Sequence, residues 1–485
     1  MAASKLLKSS SLMGLQGLIE RVAGLLSTLI LARILMPEDF GIVVMSFLII
    51  LFFQEVTDMG ENSYLESREK IDNADINGAF TLNLMIKVPI YVTVCFLSPF
   101  IAKLFESPEI VSVIILLCLF DILNCFKNPA LVLMTREYKY ERIFYLGLTT
   151  KFTSILVTVS FAVLLKNHWA LVIGHATTSV ISVVGSYVIF KYLPRLDRSR
   201  IRKQLNFSIW ILCQKLVGYF RNQLDTFLTG IIVGKAALGA YNNMKFISQL
   251  PSFSILYPMT EPLVHTFREF KHAKEALKIR VDTAVFITLA CMTPIATVFY
   301  LYSYEIVFVI LGKNWTEYQE IFAISSLILF IRCPQSIVMN LVYVYDDVKY
   351  LFYIDLISLI VAVICYLSIE DLTYVDIAIV SVFSHTIVLL VFIFHLYIKH
   401  LGSPTRFVIV SSIPLLFFFI VSPFIKDLII VNNSFFHLVV NGLLLCMVYA
   451  IFMMLVMVLC KRTELGNYIL TILVKNFKSV AAKLN

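Results

Sequence analysis

Apolar stretches of membrane-crossing length recur along the chain, separated by short polar breaks. They fall at roughly 12–35, 40–60, 79–104, 109–134, 144–166, 169–193, 205–233, 237–262, 281–304, 318–343, 350–368, 374–398, 405–425 and 436–460. A spanning helix takes about 20 residues, and each stretch is close to that length. The pattern therefore predicts an all-α membrane protein of about fourteen transmembrane helices. The second stretch, with Glu55 and Asp58 near its end, and the seventh, with several charges, fit least well.

Composition agrees and removes the alternatives. Of 485 residues, 59% are hydrophobic and 15% charged, with 39 Phe and 23 Tyr. Soluble domains are about half apolar and a quarter charged. A secreted enzyme, a nucleic-acid binder and a disordered scaffold are excluded, and no length remains for a soluble catalytic domain. Nine scattered cysteines form no C-x-x-C pair and mostly sit in apolar stretches, so neither a metal site nor a disulfide is read. Lys5 and Lys8 precede a full-length apolar stretch rather than a short cleavable one, so the first helix is expected to be retained.

The net charge of +8 changes meaning once the 40 basic residues are sorted by loop. Taking alternate breaks from the N-terminus, 26 fall on the first side and six (Arg33, Lys103, Lys166, Lys235, Lys313, Lys426) on the other. This asymmetry predicts both termini in the cytoplasm and an even number of spans. Most of the positive charge then faces anionic lipid headgroups, which leaves nucleic acid without a role as partner. Eight cations remain inside the stretches: Arg21, Lys87, Lys127, Lys151, Lys215, Arg221, Lys245 and Arg332.

The two halves overlay. At an offset of 198, Gln16 meets Gln214, Leu26 meets Leu224, Thr28 meets Thr226 and Gly41 meets Gly239. At an offset of 205, Pro89-Ile90 meets Pro294-Ile295, Lys127-x-Pro129 meets Arg332-x-Pro334, and Tyr140, Glu141 and Tyr145 meet Tyr345, Asp346 and Tyr350. A duplication of six helices predicts an N-terminal lobe over 1–193, a basic cytoplasmic linker over 194–204 and a C-terminal lobe over 205–398. Two additional helices follow over 399–460, then a basic amphipathic tail over 461–485. Lobes with an even number of spans run in the same direction, related by an axis along the membrane normal, around a central cavity.

Charge at bilayer depth is costly and normally faces protein or a watery cavity. On the first helix Gln16, Glu20, Gly24 and Ser27 share a face, and the seventh helix carries Gln214, Gly218, Asn222 and Asp225 in the same register, with Arg221 beside them. Arg21, Lys215, Arg221 and Lys245 lie deep; Lys127 and Arg332 lie nearer the cytoplasmic ends. Glu20, Asp121, Asp225 and Asp355 are the counter-charges. A net-positive cavity suits an anionic cargo, and Arg matches phosphate with two parallel hydrogen bonds. The plainer reading pairs Arg221 with Asp225 at i, i+4 and lets Lys127, Lys151 and Arg332 snorkel. Pro89, Pro129, Pro251, Pro258, Pro294 and Pro334 read as kinks. His175, His385 and His395 have no ligand-spaced partner and read as ordinary helix residues, and 265–280 reads as one amphipathic helix.

The segment LARILMPEDFG (Leu31–Gly41) resembles the stretch after the first helix in bacterial Wzx-type polysaccharide and O-antigen flippases. These form the polysaccharide-transporter branch of the multidrug/oligosaccharidyl-lipid/polysaccharide exporter superfamily. ALGAYN (Ala237–Asn242) followed by Pro251 resembles a second signature of that branch, and Asp225 sits where an acidic residue is frequent. Met36 departs from the pattern, which often has Gly there. The likeness covers the whole chain and is greatest to colanic-acid-type lipopolysaccharide exporters. It implies a MATE-like fold that moves undecaprenyl-diphosphate-linked oligosaccharide repeat units across the bacterial inner membrane without catalysis. It further implies coupling to H+ or Na+ through Glu20 and Asp225, no other cofactor, and a polysaccharide polymerase and chain-length regulator as partners. A MATE-like drug exporter would want more acidic groups at depth. A membrane polymerase or ligase would want a large outer loop, and every loop on that side is short.

Overall fold

The computed structural model describes residues 2–58, 65, 71–137, 139–199, 201, 209–347, 349–421 and 434–460. The tail over 461–485 and, in the linker over 194–204, residues 200 and 202–204 lie outside the described residues. The described residues form helices and turns, with no strand among them. Ten of these helices are long and apolar enough to cross a membrane, and Ile110–Asn124 and Thr405–Ile420 are apolar but shorter. The protein is a multi-pass membrane protein.

The chain divides into two compact units. One comprises Met1–Asn242 with Leu372–Tyr374, the other Asn243–Asp371 with Val375–Asn485. In the first unit run α1 (Ala2–Ile34), α2 (Pro37–Thr57), α3 (Asn73–Leu104), α4 (Ile110–Asn124), α5 (Leu131–Arg136), α6 (Tyr140–Leu165), α7 (Trp169–Ile189) and α8 (Ile209–Leu228). A π-helical turn, Thr229–Val233, closes α8 at Gly234, whose φ of +104° suits a residue without a side chain. The division falls inside α9 (Lys235–Pro251).

The first unit's core is built by α2, α3, α4 and α7, where Met45, Ile50, Val94, Val113, Ile114, Leu117 and Val172 are fully shielded. Between apolar helices in lipid, close packing and interhelical hydrogen bonds do most of the work. Ser154 of α6 accordingly donates to the Gly174 carbonyl of α7 at 2.9 Å. Within α3, Pro99 removes the N–H that the Cys95 carbonyl would accept, and the Ser98 hydroxyl takes that place at 2.7 Å.

The second unit continues from α9 through a π-helical segment, Ser252–Leu256, immediately after Pro251. Then come α10 (Tyr257–Thr260), α11 (Leu263–Glu269), α12 (Lys274–Leu301), α13 (Ser303–Ile310), a 3-10 segment (Lys313–Tyr318), α14 (Gln319–Ser326) and α15 (Ile328–Val344). The last are α16 (Lys349–Leu367), α17 (Tyr374–Leu401), α18 (Thr405–Val421) and α19 (Ser434–Cys460). Its core joins α12, α15 and α17 through Val281, Val285, Met292, Ile337, Leu341, Ile393 and Leu396.

Three expectations are corrected. The stretch 265–280 is not one helix: α11 stops at Glu269, Ala273 N–H closes a turn on the Phe270 carbonyl at 2.9 Å, and α12 begins at Lys274 and runs on into a span. Residues 303–318 are ordered helix and 3-10 turn around the buried Trp315 rather than a bare loop. Pro129 does not kink a continuous helix. The Asn128 side chain bonds the Phe190 carbonyl at 2.7 Å and accepts Ala130 N–H at 3.0 Å, which ends helix locally between α4 and α5. At the repeat-related position Cys333 is packed in the core and its thiol points back to the Leu329 carbonyl, so α15 continues through Pro334.

Trp315→Ala removes a fully buried indole and is expected to cost about 3–5 kcal/mol. Leu367→Ala, at a side chain 82% exposed, should leave detergent thermal unfolding nearly unchanged. Equal shifts in Tm for the two variants would contradict the packing described.

Candidate functional site

The Leu31–Gly41 segment makes a turn whose residues each have a defined contact. Pro37 opens α2, where its missing N–H costs nothing. Asp39 accepts the Met36 N–H at 3.0 Å and, with its other oxygen, the His168 N–H at 2.9 Å, so one carboxylate caps α2 and ties it to the α6–α7 turn. Lys235, at the start of α9, reaches Glu109 at 3.2 Å and Glu38 at 3.7 Å. Burial alone would raise the Glu109 carboxyl, but the hydrogen bonds from Lys235 and Ser107 outweigh it and hold its pKa below the usual glutamate range.

Beside this ion cluster α2 and α9 cross backbone to backbone. A β-carbon on Gly41 would overlap the Lys235 carbonyl, and one on Gly239 would overlap the Pro37 carbonyl and lie 2.6 Å from the Gly41 nitrogen. Pro37 and Lys235, like Gly41 and Gly239, are 198 positions apart. The contact is therefore reciprocal: each glycine receives the carbonyl of the residue equivalent to the one its partner receives. A self-complementary contact of this kind is what a local two-fold axis produces. Tyr241, two residues on in the Ala237–Asn242 motif, is buried and its hydroxyl donates to Asp225 at 2.8 Å.

Six of the eight in-span cations lie in the first unit, among them Lys87, half-buried on α3. Lys215 of α8 is ion-paired with Asp58, just beyond α2, and Tyr219 one turn later donates to the Leu48 carbonyl. The side chain of Gln214 lies outside the described residues. Arg221 is half-buried and donates to Asn222 at 2.8 Å. Asp225 is buried and accepts the Thr226 N–H at 2.7 Å in addition to Tyr241. On α1, Arg21 is exposed, whereas Glu20 accepts from Gln16 at 2.8 Å. This pair lies on Gly147 of α6, and the Lys151 ammonium of α6 lies against Gly24. The polar stripe of α1 thus meets α6 rather than standing open. Lys127 is exposed on the turn after α4.

In the second unit Lys245 is half-buried on α9. Arg332 of α15 spans two partners, the Tyr257 hydroxyl at 3.0 Å and Gln249 at 3.4 Å. Both lie on the chain around the Pro251 π segment, so Arg332 is fixed there instead of snorkelling freely. Two groupings escaped the sequence reading. Asp58 as partner of Lys215 has no local signal, since 157 residues separate them. His175, read as an ordinary helix residue, has its Nε2 3.7 Å from Asp121. No group of three or more His, Cys, Asp or Glu able to hold a metal ion occurs among the described residues.

Solved structures place this architecture. The lipid II flippase MurJ, in an inward closed conformation, superposes with a TM-score of 0.71 at 13% identity, covering 90% of this chain and 97% of that one. An inward-facing multidrug resistance MATE family transporter of the MOP superfamily gives 0.55 at 14% identity, covering 81% and 96%. The fold is that of a helical MurJ- and MATE-like membrane protein. Residues 30–320 match the polysaccharide biosynthesis protein family, and the chain belongs to it. The resemblance read from the two motifs is borne out.

Among curated relatives, an uncharacterized membrane protein in the cps region of Klebsiella pneumoniae is 24% identical over 316 residues, 64% of this chain and 65% of that one. Lipopolysaccharide biosynthesis protein WzxC of Escherichia coli (strain K12) is 21% identical over 302 residues, 61% of each chain. Succinoglycan biosynthesis transport protein ExoT of Rhizobium meliloti (strain 1021) is 20% identical over 309 residues, 63% of each. The chain thus spans a little under two thirds of the length of these relatives.

Gly239→Val is expected to drive α2 and α9 apart. A disulfide engineered across the crossing should form readily in the parent and be lost in the variant. Glu109→Gln should lower Tm at neutral pH. Because the folded pKa is depressed, that difference should persist as pH falls through the unfolded value of about 4.3 and vanish only below the folded one.

Proposed function

We propose that the protein is a flippase for undecaprenyl-diphosphate-linked oligosaccharide repeat units, delivering them across the bacterial inner membrane for surface polysaccharide. The names of WzxC and ExoT, and the flippase activity in the name of MurJ, support this reading. In it the chain crosses the membrane fourteen times with both termini cytoplasmic, as two six-helix lobes plus two helices. Arg21, Lys127, Lys215, Arg221, Lys245 and Arg332 supply the positive field for the diphosphate, and Arg21 and Arg221 carry most of it. Glu20 and Asp225 are the acidic groups of α1 and α8 available for ion coupling. The lipid tail stays in the bilayer while the polar head crosses.

The reciprocal crossing at Gly41 and Gly239 is the observation that carries the mechanism. It joins equivalent helices of the two proposed lobes on the outer side, through van der Waals contact and one lysine. Small-residue contacts of this kind in lipid are modest in strength. Parting of α2 from α9 opens the cavity outward, and their closure reopens it toward the cytoplasm.

Arg21→Ala and Arg221→Ala, correctly inserted, are each expected to abolish surface polysaccharide and leave the lipid-linked unit accumulated on the cytoplasmic side. Normal polysaccharide in both would overturn the cationic-cavity assignment. In proteoliposomes the purified protein should move an undecaprenyl-diphosphate oligosaccharide between leaflets; no movement under any ion gradient would overturn the flippase reading itself.

A further inference from the structure

We infer that Asp121 of α4 and His175 of α7 form a proton-binding site inside the first unit, separate from Glu20 and Asp225, and that it takes part with them in the coupling of the transporter. The binding claim stands on geometry alone; the coupling claim rests on the flippase reading. Asp121 is 4% exposed, surrounded by the apolar core that includes Ile114, Leu117 and Val172. One carboxylate oxygen accepts from Gln54 of α2 at 3.2 Å, and the other lies 3.7 Å from His175 Nε2. That ring nitrogen is shielded from solvent and has no hydrogen-bond partner among the described residues. The His175 side chain nevertheless keeps 23% of its surface exposed, and Phe47 closes on the ring edge-on at 5.1 Å.

With Asp121 ionised and imidazole neutral, the pair holds a net negative charge in apolar surroundings, which is unfavourable. A proton delivered by hydronium at the exposed edge forms an N–H bond on the ring and returns water. The imidazolium then faces the carboxylate and the pair becomes neutral. Passing the Nε2 proton on to Asp121 leaves neutral imidazole beside a neutral acid, with the same total charge.

The other titratable groups facing the pair are few. Tyr91 of α3 lies with Asp121, and Cys118 and Cys125 flank it on α4 itself, with Cys95 of α3 behind Cys118. From α2 come neutral Gln54 and, directed toward Tyr219, Glu55. Between α6 and α7, the Thr178 hydroxyl donates to the Ser154 hydroxyl at 2.9 Å, and the Lys151 ammonium of α6 lies against Gly24 of α1.

Infrared difference spectroscopy of the purified full-length protein, stepped in pH, reads carboxyl protonation directly. A pH-dependent carboxylic-acid band is expected in the parent, absent in Asp121→Asn and displaced in pH in His175→Gln, with potassium in place of sodium making no difference. An unchanged band in Asp121→Asn, or one that responds to sodium instead of pH, would overturn the site. If Asp121→Asn fails to fold, His175→Gln carries the test, since an undisplaced band there is equally contrary. For the coupling, both variants should lose the acceleration of undecaprenyl-diphosphate oligosaccharide movement by a pH gradient in proteoliposomes. Retained acceleration overturns the coupling role. Absence of any movement by the parent protein would instead remove the flippase reading and leave the infrared result standing.

Discussion

Two helices can approach to backbone contact only where both present a residue without a side chain, and in the first unit this occurs where α2 meets α9 at Gly41 and Gly239. Much of the surrounding chemistry is arranged about that approach. Asp39 fixes how α2 enters it, Glu38 and Glu109 hold Lys235 at the start of α9, and Tyr241 carries the geometry on to Asp225. A larger residue at either glycine would displace a carbonyl, not merely a flexible side chain, so the whole arrangement depends on that single steric condition.

The charges inside the first unit follow a common logic. Lys215 has Asp58, Asp225 has Tyr241 and Thr226, and Glu20 has Gln16. In lipid the alternative to such partners is an unsatisfied polar group in hydrocarbon, which is why buried polar side chains there come in constellations. Arg21 and Lys127 are exposed, and both fall on segments that the flippase reading turns toward cargo or headgroups.

Much of the fold was legible because a spanning helix advertises itself: ten described helices are long and apolar enough to cross a membrane, and both motifs lie within the residues that match the family. Where the reading failed, it failed over short-range competition or long-range pairing. Lys127-x-Pro129 and Arg332-x-Pro334 look alike as strings, yet the residue between them, Asn128 or Cys333, decides whether helix stops or continues. Pairing of Asp121 with His175 or of Asp58 with Lys215 depends on which faces pack together, and neither residue announces its partner from within its own helix.

The symmetry of the glycine crossing carries an implication for history. On the proposed duplication, Gly41 and Gly239 descend from one ancestral glycine, and Pro37 and Lys235 from one ancestral neighbour. A half-length ancestor would then have met a second copy of itself through that glycine, so that one codon shaped both sides of the junction. Fusion of the two copies freed the sides to diverge. The lysine now at 235, facing a proline at its counterpart position, is a visible product of that freedom: an ion cluster that a symmetric pair would have had to build twice or not at all.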